Sequence, residues 1–170
     1  SQIGHFDILG LHSHIGSQIF DVVPYEDLVD LMVNHTKRIK DEVGIELKEL
    51  NLGGGLGMQY TSEDDPPEVK SFLNRLITRL TKSFSESGLS LPKIILEPGR
   101  SIVGNAGVTI YSVGTLKTIP NIKNYIFVDG GMADNPRPIM YQAEYTFDIG
   151  NKANAEKSVS YSIAGKYCES

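Results

Sequence analysis

Polar and apolar positions change period several times along the chain, and each change marks a predicted element. Phe6 to Ile15 reads as a strand, with Ile8, Gly10, His12 and His14 on one face and Leu9, Leu11, Ser13 and Ile15 on the other, so both faces are expected to be largely covered. From Pro24 the period becomes helical. Leu28, Leu31, Met32, His35 and Ile39 form the inward stripe, while Glu26, Asp30, Asn34, Lys37 and Asp41 lie outside it. Pro24 suits a first helical turn and Gly44 a stop. Ile45 to Leu52 returns to a strand and runs into Gly53-Gly54-Gly55-Leu56-Gly57. Asp65-Pro66-Pro67-Glu68 reads as a capped helix start, followed by Val69, Phe72, Leu73, Leu76, Ile77, Leu80 and Phe84 on an amphipathic helix that ends near Gly88. A short apolar run, Ile94 to Leu96, closes this part and delivers Glu97-Pro98-Gly99-Arg100-Ser101.

Strand, helix, strand, helix, strand implies parallel strands with crossover helices, the α/β pattern of a barrel or a doubly wound sheet. The candidate chemical groups all fall at the C-terminal ends of the strands, where such folds place their sites. Three strands do not close a barrel. Beyond Arg100 the helical period disappears. Val108 to Leu116, Tyr125 to Asp129, Ala143 to Phe147 and Ser158 to Ala164 read as short β runs, so a mostly β domain is expected to begin near Gly104 to Gly107, giving domains 1–106 and 107–170.

The 170 residues carry a net charge of −5, with basic residues scattered and no apolar run near the roughly 20 residues a bilayer span requires. Neither a nucleic-acid footprint nor a membrane partner is expected. The single cysteine, Cys168, cannot form an internal disulfide, which favours a reducing cytoplasmic setting. The chain opens on Ser1-Gln2-Ile3 and closes directly after the turn-like segment from Gly165 to Glu169, and is expected to be an internal excerpt of a longer protein.

Several residues invite chemistry, and each has a plainer reading beside it. His12 and His14 are a metal pair or two hydrogen-bonded core histidines; no carboxylate or cysteine nearby in sequence completes a ligand set, so no metal is expected. Gly16-Ser17-Gln18 and the glycine run cradle an anion or merely turn the chain. Glu97 shares a face with Ile95 and precedes a Pro-Gly turn and Arg100, so the two are either site groups or a surface ion pair. Within Asn135-Pro136-Arg137-Pro138, the four-residue step from Arg137 to Tyr141 puts a guanidinium and a phenol on one side of a helical turn, as a carboxylate clamp or as a solvated arginine.

Taken together, His12-Ser13-His14-Ile15-Gly16-Ser17, Gly53 to Gly55, Glu97-Pro98-Gly99-Arg100, Asp129-Gly130-Gly131-Met132, Asn135-Pro136-Arg137-Pro138 with Tyr141, and Cys168-Glu169-Ser170 resemble the diaminopimelate decarboxylases. These are the lysine-forming members of the pyridoxal-phosphate decarboxylases with an alanine-racemase-like barrel. The resemblance covers nearly the whole chain. It implies the C-terminal part of a pyridoxal-phosphate-binding (β/α)8 barrel followed by the start of a mostly β domain. It also implies decarboxylation of meso-diaminopimelate to lysine and carbon dioxide. His14, Ser17, Gly53, Gly54, Gly55, Glu97, Gly99 and Arg100 then bind the cofactor, with Glu97 facing the pyridine nitrogen, His14 over the ring and Ser17 with the glycine amides on the phosphate. Arg100, Arg137, Tyr141 and Glu169 bind substrate, and Cys168 returns a proton. The family forms homodimers in which Cys168 and Glu169 reach the neighbouring subunit's site. Its cofactor-bearing lysine lies upstream of this region, and no lysine here has the matching context, so the excerpt is expected to be inactive alone. A decarboxylase of ornithine or arginine, or a non-catalytic pyridoxal-phosphate-binding relative, are the other readings.

Overall fold

In the computed structural model, which describes residues 6–168, the strand-helix alternation appears in the order read from the pattern, with shorter strands. The elements are β1 (Gly10–His12), α1 (Val23–Val43), β2 (Glu49–Asn51), α2 (Val69–Glu86) and β3 (Lys93–Ile95). Then come α3 (Arg100–Val103), a short 3-10 turn (Gly104–Ala106), β4 (Val113–Ile119), β5 (Lys123–Val128), α4 (Arg137–Tyr141) and β6 (Ser162–Ala164). The chain divides into two compact units, Ser1–Gly107 and Val108–Ser170.

In the first unit β1, β2 and β3 are all parallel and adjacent in chain order, each joined to the next by a crossover helix. This is an α/β arc of a barrel wall. Leu50 and Leu52 of the central strand segment are fully buried and meet Val29, Met32 and Val33 of α1 and Leu76, Leu80 and Phe84 of α2. Tyr25 packs edge-on against Phe72, ring centroids 4.9 Å apart, and its hydroxyl donates to the Gly54 carbonyl at 2.9 Å. Burial raises the pKa of that phenol, so it stays a donor across the physiological range.

Three details depart from the sequence pattern. The strand expected over Phe6 to Ile15 is ladder-bonded only from Gly10 to His12, and its flanks are exposed because β1 pairs on one edge alone. The buried stripe of α1 is Tyr25, Leu28, Val29, Met32, Val33 and Thr36, while Leu31 and His35 face solvent. The stripe is turned toward Tyr25 and Val29 because the helix settles over β2. The Asp65 capping start is replaced by an entry at Val69 with Glu68 extended and no side-chain cap, as two consecutive prolines push their preceding residues out of helical geometry. Asp65 makes no cap there. At the other end Gly44, at φ 74°, donates its N–H to the Lys40 carbonyl and stops α1 in left-handed geometry.

In the second unit β4 and β5 pair antiparallel, and β6 joins β5 in parallel. Neither the run 108–112 nor the run 143–147 forms a strand, and only the C-terminal end of the expected Val108 to Leu116 run joins β4. No helix among the described residues is long and apolar enough to cross a membrane.

Paired charges tie α1 to α2. Arg75 grips both oxygens of Glu26, at 3.0 and 3.1 Å, and one turn further Arg79 Nε donates to Asp30 Oδ1 at 2.9 Å. Ser83 Oγ donates to the same Asp30 oxygen at 2.8 Å. The Arg79 hydrogen bond is the main cause of a lowered Asp30 pKa. A depressed folded pKa means that this stability is present above the unfolded value, about 3.9, and is lost as pH falls through the folded value. Because Asp30 is 37% exposed, solvent screening limits the contribution to about 0.5–1 kcal/mol. Denaturant titration of Asp30→Asn should show that loss near neutral pH, with the gap to the parent closing below about pH 4.

Candidate active site

Parallel pairing aligns His12, Asn51 and Ile95 in one row across the three strand ends. Glu97 follows Ile95 by two residues and so returns to the same face. Its carboxylate is held from two sides: Asn51 Nδ2 donates to Oε1 at 2.7 Å, and His12 Nε2 stands 3.6 Å from Oε2. Both His12 and Glu97 remain about half exposed. The histidines are therefore not a core pair, and among the described residues no cluster of three or more metal-ligating side chains forms.

The glycine run is required by crowding. A Cβ on Gly53 would lie 2.6 Å from the Ser13 carbonyl oxygen, on Gly54 2.2 Å from that of Glu97, and on Gly55 2.2 Å from that of Gly16. Gly53 and Gly55 also adopt φ of 70° and 98°, conformations that suit glycine. Their amides are not all free for an anion. Gly53 N–H donates to Asn51 Oδ1 at 2.9 Å and Gly54 N–H to His14 Nδ1 at 3.2 Å. Of the three, only Gly55 N–H donates to no group among the described residues. An accepting Nδ1 leaves the neutral His14 ring its proton on Nε2.

Glu97 and Arg100 do not pair with each other. After the Pro98-Gly99 turn Arg100 opens α3, and its guanidinium turns to the neighbouring loops, donating through Nη1 to the Tyr60 hydroxyl at 2.9 Å and through Nη2 to Ser17 Oγ. The guanidinium carbon also lies 5.8 Å from the Tyr60 ring centroid. Gly99 is exposed, and a Cβ there would meet open space. Ser17 is positioned by its neighbour: Gln18, at φ 60°, donates from Nε2 to the Met58 carbonyl at 2.6 Å and accepts from the Met58 N–H at 3.3 Å. The bridge between Ile19 and Leu56 extends this seam between the two loops.

In the second unit α4 brings Arg137 and Tyr141 together, with the guanidinium carbon 5.6 Å from the phenol ring centroid. Asn135 Oδ1 accepts the Arg137 N–H at 3.3 Å. Asp129 ties its strand end to Ser112, accepting that residue's N–H at 2.8 Å, and a Cβ on Gly130 would enter the Tyr111 ring. Cys168 is exposed; Glu169 lies outside the described residues.

The structure thus gathers His14 with Gly54, Glu97 with Asn51 and His12, and Arg100 with Ser17 and Tyr60. Sequence reasoning passed over Asn51 and Tyr60. The signal for Asn51 was a single amide between Leu50 and Leu52 at the mouth of an otherwise apolar strand end.

A family model described as the pyridoxal binding domain of pyridoxal-dependent decarboxylases matches residues 1–104. A diaminopimelate decarboxylase of Synechocystis sp. is 48% identical over 95% of this chain and 34% of its own length. That of Bacillus methanolicus is 44% identical over 96% of this chain and 38% of its own. The chain therefore spans little more than a third of these relatives. Among solved structures, the diaminopimelate decarboxylase of M. jannaschii in complex with L-lysine superposes with a TM-score of 0.77 at 35% identity, covering 95% of this chain and 36% of that one. The parallel strands, the glycine run at their ends and the match over residues 1–104 place this chain in the family of pyridoxal-dependent decarboxylases, with residues 1–104 belonging to the pyridoxal-binding domain.

Proposed function

We propose that the protein carrying this chain decarboxylates meso-diaminopimelate to L-lysine and carbon dioxide, using pyridoxal phosphate. The observation that carries this reading is the Glu97 carboxylate at the mouth of the parallel strands, held by Asn51 and His12 in a chain so similar to diaminopimelate decarboxylases. The residues present suit the cofactor. A carboxylate matches a pyridine nitrogen, and a guanidinium beside a hydroxyl matches a phosphate. When bound, pyridoxal phosphate supplies an electron-withdrawing ring that stabilises the electron pair left on the α-carbon as carbon dioxide departs.

The residues then divide the work. Glu97 would pair with the ring nitrogen and favour its protonated form, and His14 would help hold the ring. Ser17, Arg100 and the Gly55 amide hold the phosphate, with Gly99 at the turn that delivers Arg100. Gly53 and Gly54, whose amides serve Asn51 and His14, act by letting the strand-end loops close up. The first unit thus serves chiefly the cofactor, with Arg100 adding positive charge near the phosphate and the substrate, and the second unit serves the substrate. Arg137 and Tyr141 grip the distal carboxylate, while Glu169 receives the distal ammonium. The bond from the α-carbon to its carboxylate breaks, carbon dioxide leaves, and the Cys168 thiol gives a proton to the α-carbon. A thiol is a far stronger acid than a hydroxyl, so it parts with its proton readily once the α-carbon carries the electron pair. Exposure of Cys168 is consistent with service across the interface of a homodimer. The lone cysteine fits a cytoplasmic enzyme.

Two variants of the full-length protein test this reading. Arg137→Ala leaves the distal carboxylate uncompensated at a cost of about 3–5 kcal/mol, which is a few hundredfold or more in kcat/KM, while cofactor affinity stays near the parent's. Steady-state kinetics on meso-diaminopimelate that are indistinguishable from the parent would remove Arg137 from the substrate site. Cys168→Ala should slow lysine formation by about 10²-fold or more and yield less than one lysine per carbon dioxide released. Equal yields at the parent rate would assign the proton to another donor.

A further inference from the structure

Asn51 makes two hydrogen bonds with opposite polarity. Its Oδ1 accepts the Gly53 N–H at 2.9 Å, and its Nδ2 donates to Glu97 Oε1 at 2.7 Å. The backbone N–H can only donate, so the amide oxygen must face it, and the NH2 group is then turned on the carboxylate. The orientation is therefore set by the loop. Only an amide joins these partners: aspartate keeps the acceptor but confronts Glu97 with a like charge, and leucine keeps neither bond.

Position reinforces the point. Asn51 is the last residue of the central strand, directly opposite His12 on one side and Ile95 on the other. The N–H of Glu97 donates to the Gly53 carbonyl at 2.8 Å. Gly53 thus holds the main chain of Glu97 directly and its side chain through Asn51, while His12 stands off the second carboxylate oxygen. A half-exposed glutamate would otherwise sample several rotamers, and a carboxylate must be aimed to meet a ring nitrogen.

Resting on the reading of Glu97 given above, we infer that Asn51 is a positioning residue, which locks the Glu97 carboxylate in line with the ring nitrogen and ties that alignment to the glycine loop. Its effect is exerted through Glu97, so it disappears when Glu97 can no longer act.

The test uses the full-length protein loaded with pyridoxal phosphate isotopically labelled at the ring nitrogen, whose NMR shift reports protonation directly. Glu97→Gln should move the signal toward the neutral ring; if it does not, the reading of Glu97 fails and the inference falls with it. With that shift in hand, Asn51→Ala should move the signal in the same direction and lower kcat about ten- to hundredfold, the scale of one lost hydrogen bond to a charged group. In the Glu97→Gln background the same Asn51 substitution should change neither quantity further. A signal that stays at the protonated position in Asn51→Ala, or an Asn51 effect of equal size in both backgrounds, overturns the positioning role while leaving Glu97 in place. Should Asn51→Ala not fold, Asn51→Thr, which suits a strand and cannot span to Glu97, carries the same expectations and the same contrary results.

Discussion

The close approach of three loops at the ends of parallel strands is the constraint on which this site depends. Carbonyl oxygens of Ser13, Gly16 and Glu97 all lie where a Cβ on the glycine run would have to go. Removing side chains from Gly53 to Gly55 lets the neighbouring segments close on that loop, and the closure brings His14, Ser17 and Glu97 to its rim. The glycines work first by sterics. Their hydrogen bonds follow from that contact, because Gly53 and Gly54 then lie within reach of Asn51 and His14.

Beneath the loops the helices keep the strands in place. Tyr25 connects the two levels: its ring is buried against Phe72 while its hydroxyl holds the Gly54 carbonyl. Leu50 and Leu52 anchor β2 in the core, and the residue between them, Asn51, turns to the mouth. The alternation of a strand thus divides one tripeptide between stability and chemistry. On the outer side, Arg75 and Arg79 fasten α2 to α1 through Glu26 and Asp30, a register lock more than a large source of stability.

Much of this was legible in the residues. Strand-helix alternation gave the parallel order, and Glu97, His14 and the glycine run were visible as polar or glycine positions at strand ends. What stayed hidden depended on partners. The inward face of α1 could not be placed from periodicity alone, since Leu31 and His35 fit the helical spacing as well as Tyr25 and Val29 do. The run 143–147 alternates apolar and polar residues as a strand should, yet among the described residues it joins neither sheet. Glu97 and Arg100, three residues apart, suggested a pair, but the intervening Pro-Gly turn sends the guanidinium to Ser17 and Tyr60 instead. Asn51 was missed because one amide in a strand carries no pattern of its own, and its meaning comes from Glu97, which is far away in sequence.

Substrate competition tests the central claim most directly. Full-length protein, supplied with pyridoxal phosphate, would be given meso-diaminopimelate, ornithine and arginine in turn while carbon dioxide and the amine product are measured. A site built around a clamp for a distal carboxylate should favour meso-diaminopimelate by a factor on the order of 10⁴ in kcat/KM and release lysine. Comparable turnover of ornithine or arginine, or no carbon dioxide from meso-diaminopimelate, would contradict the account.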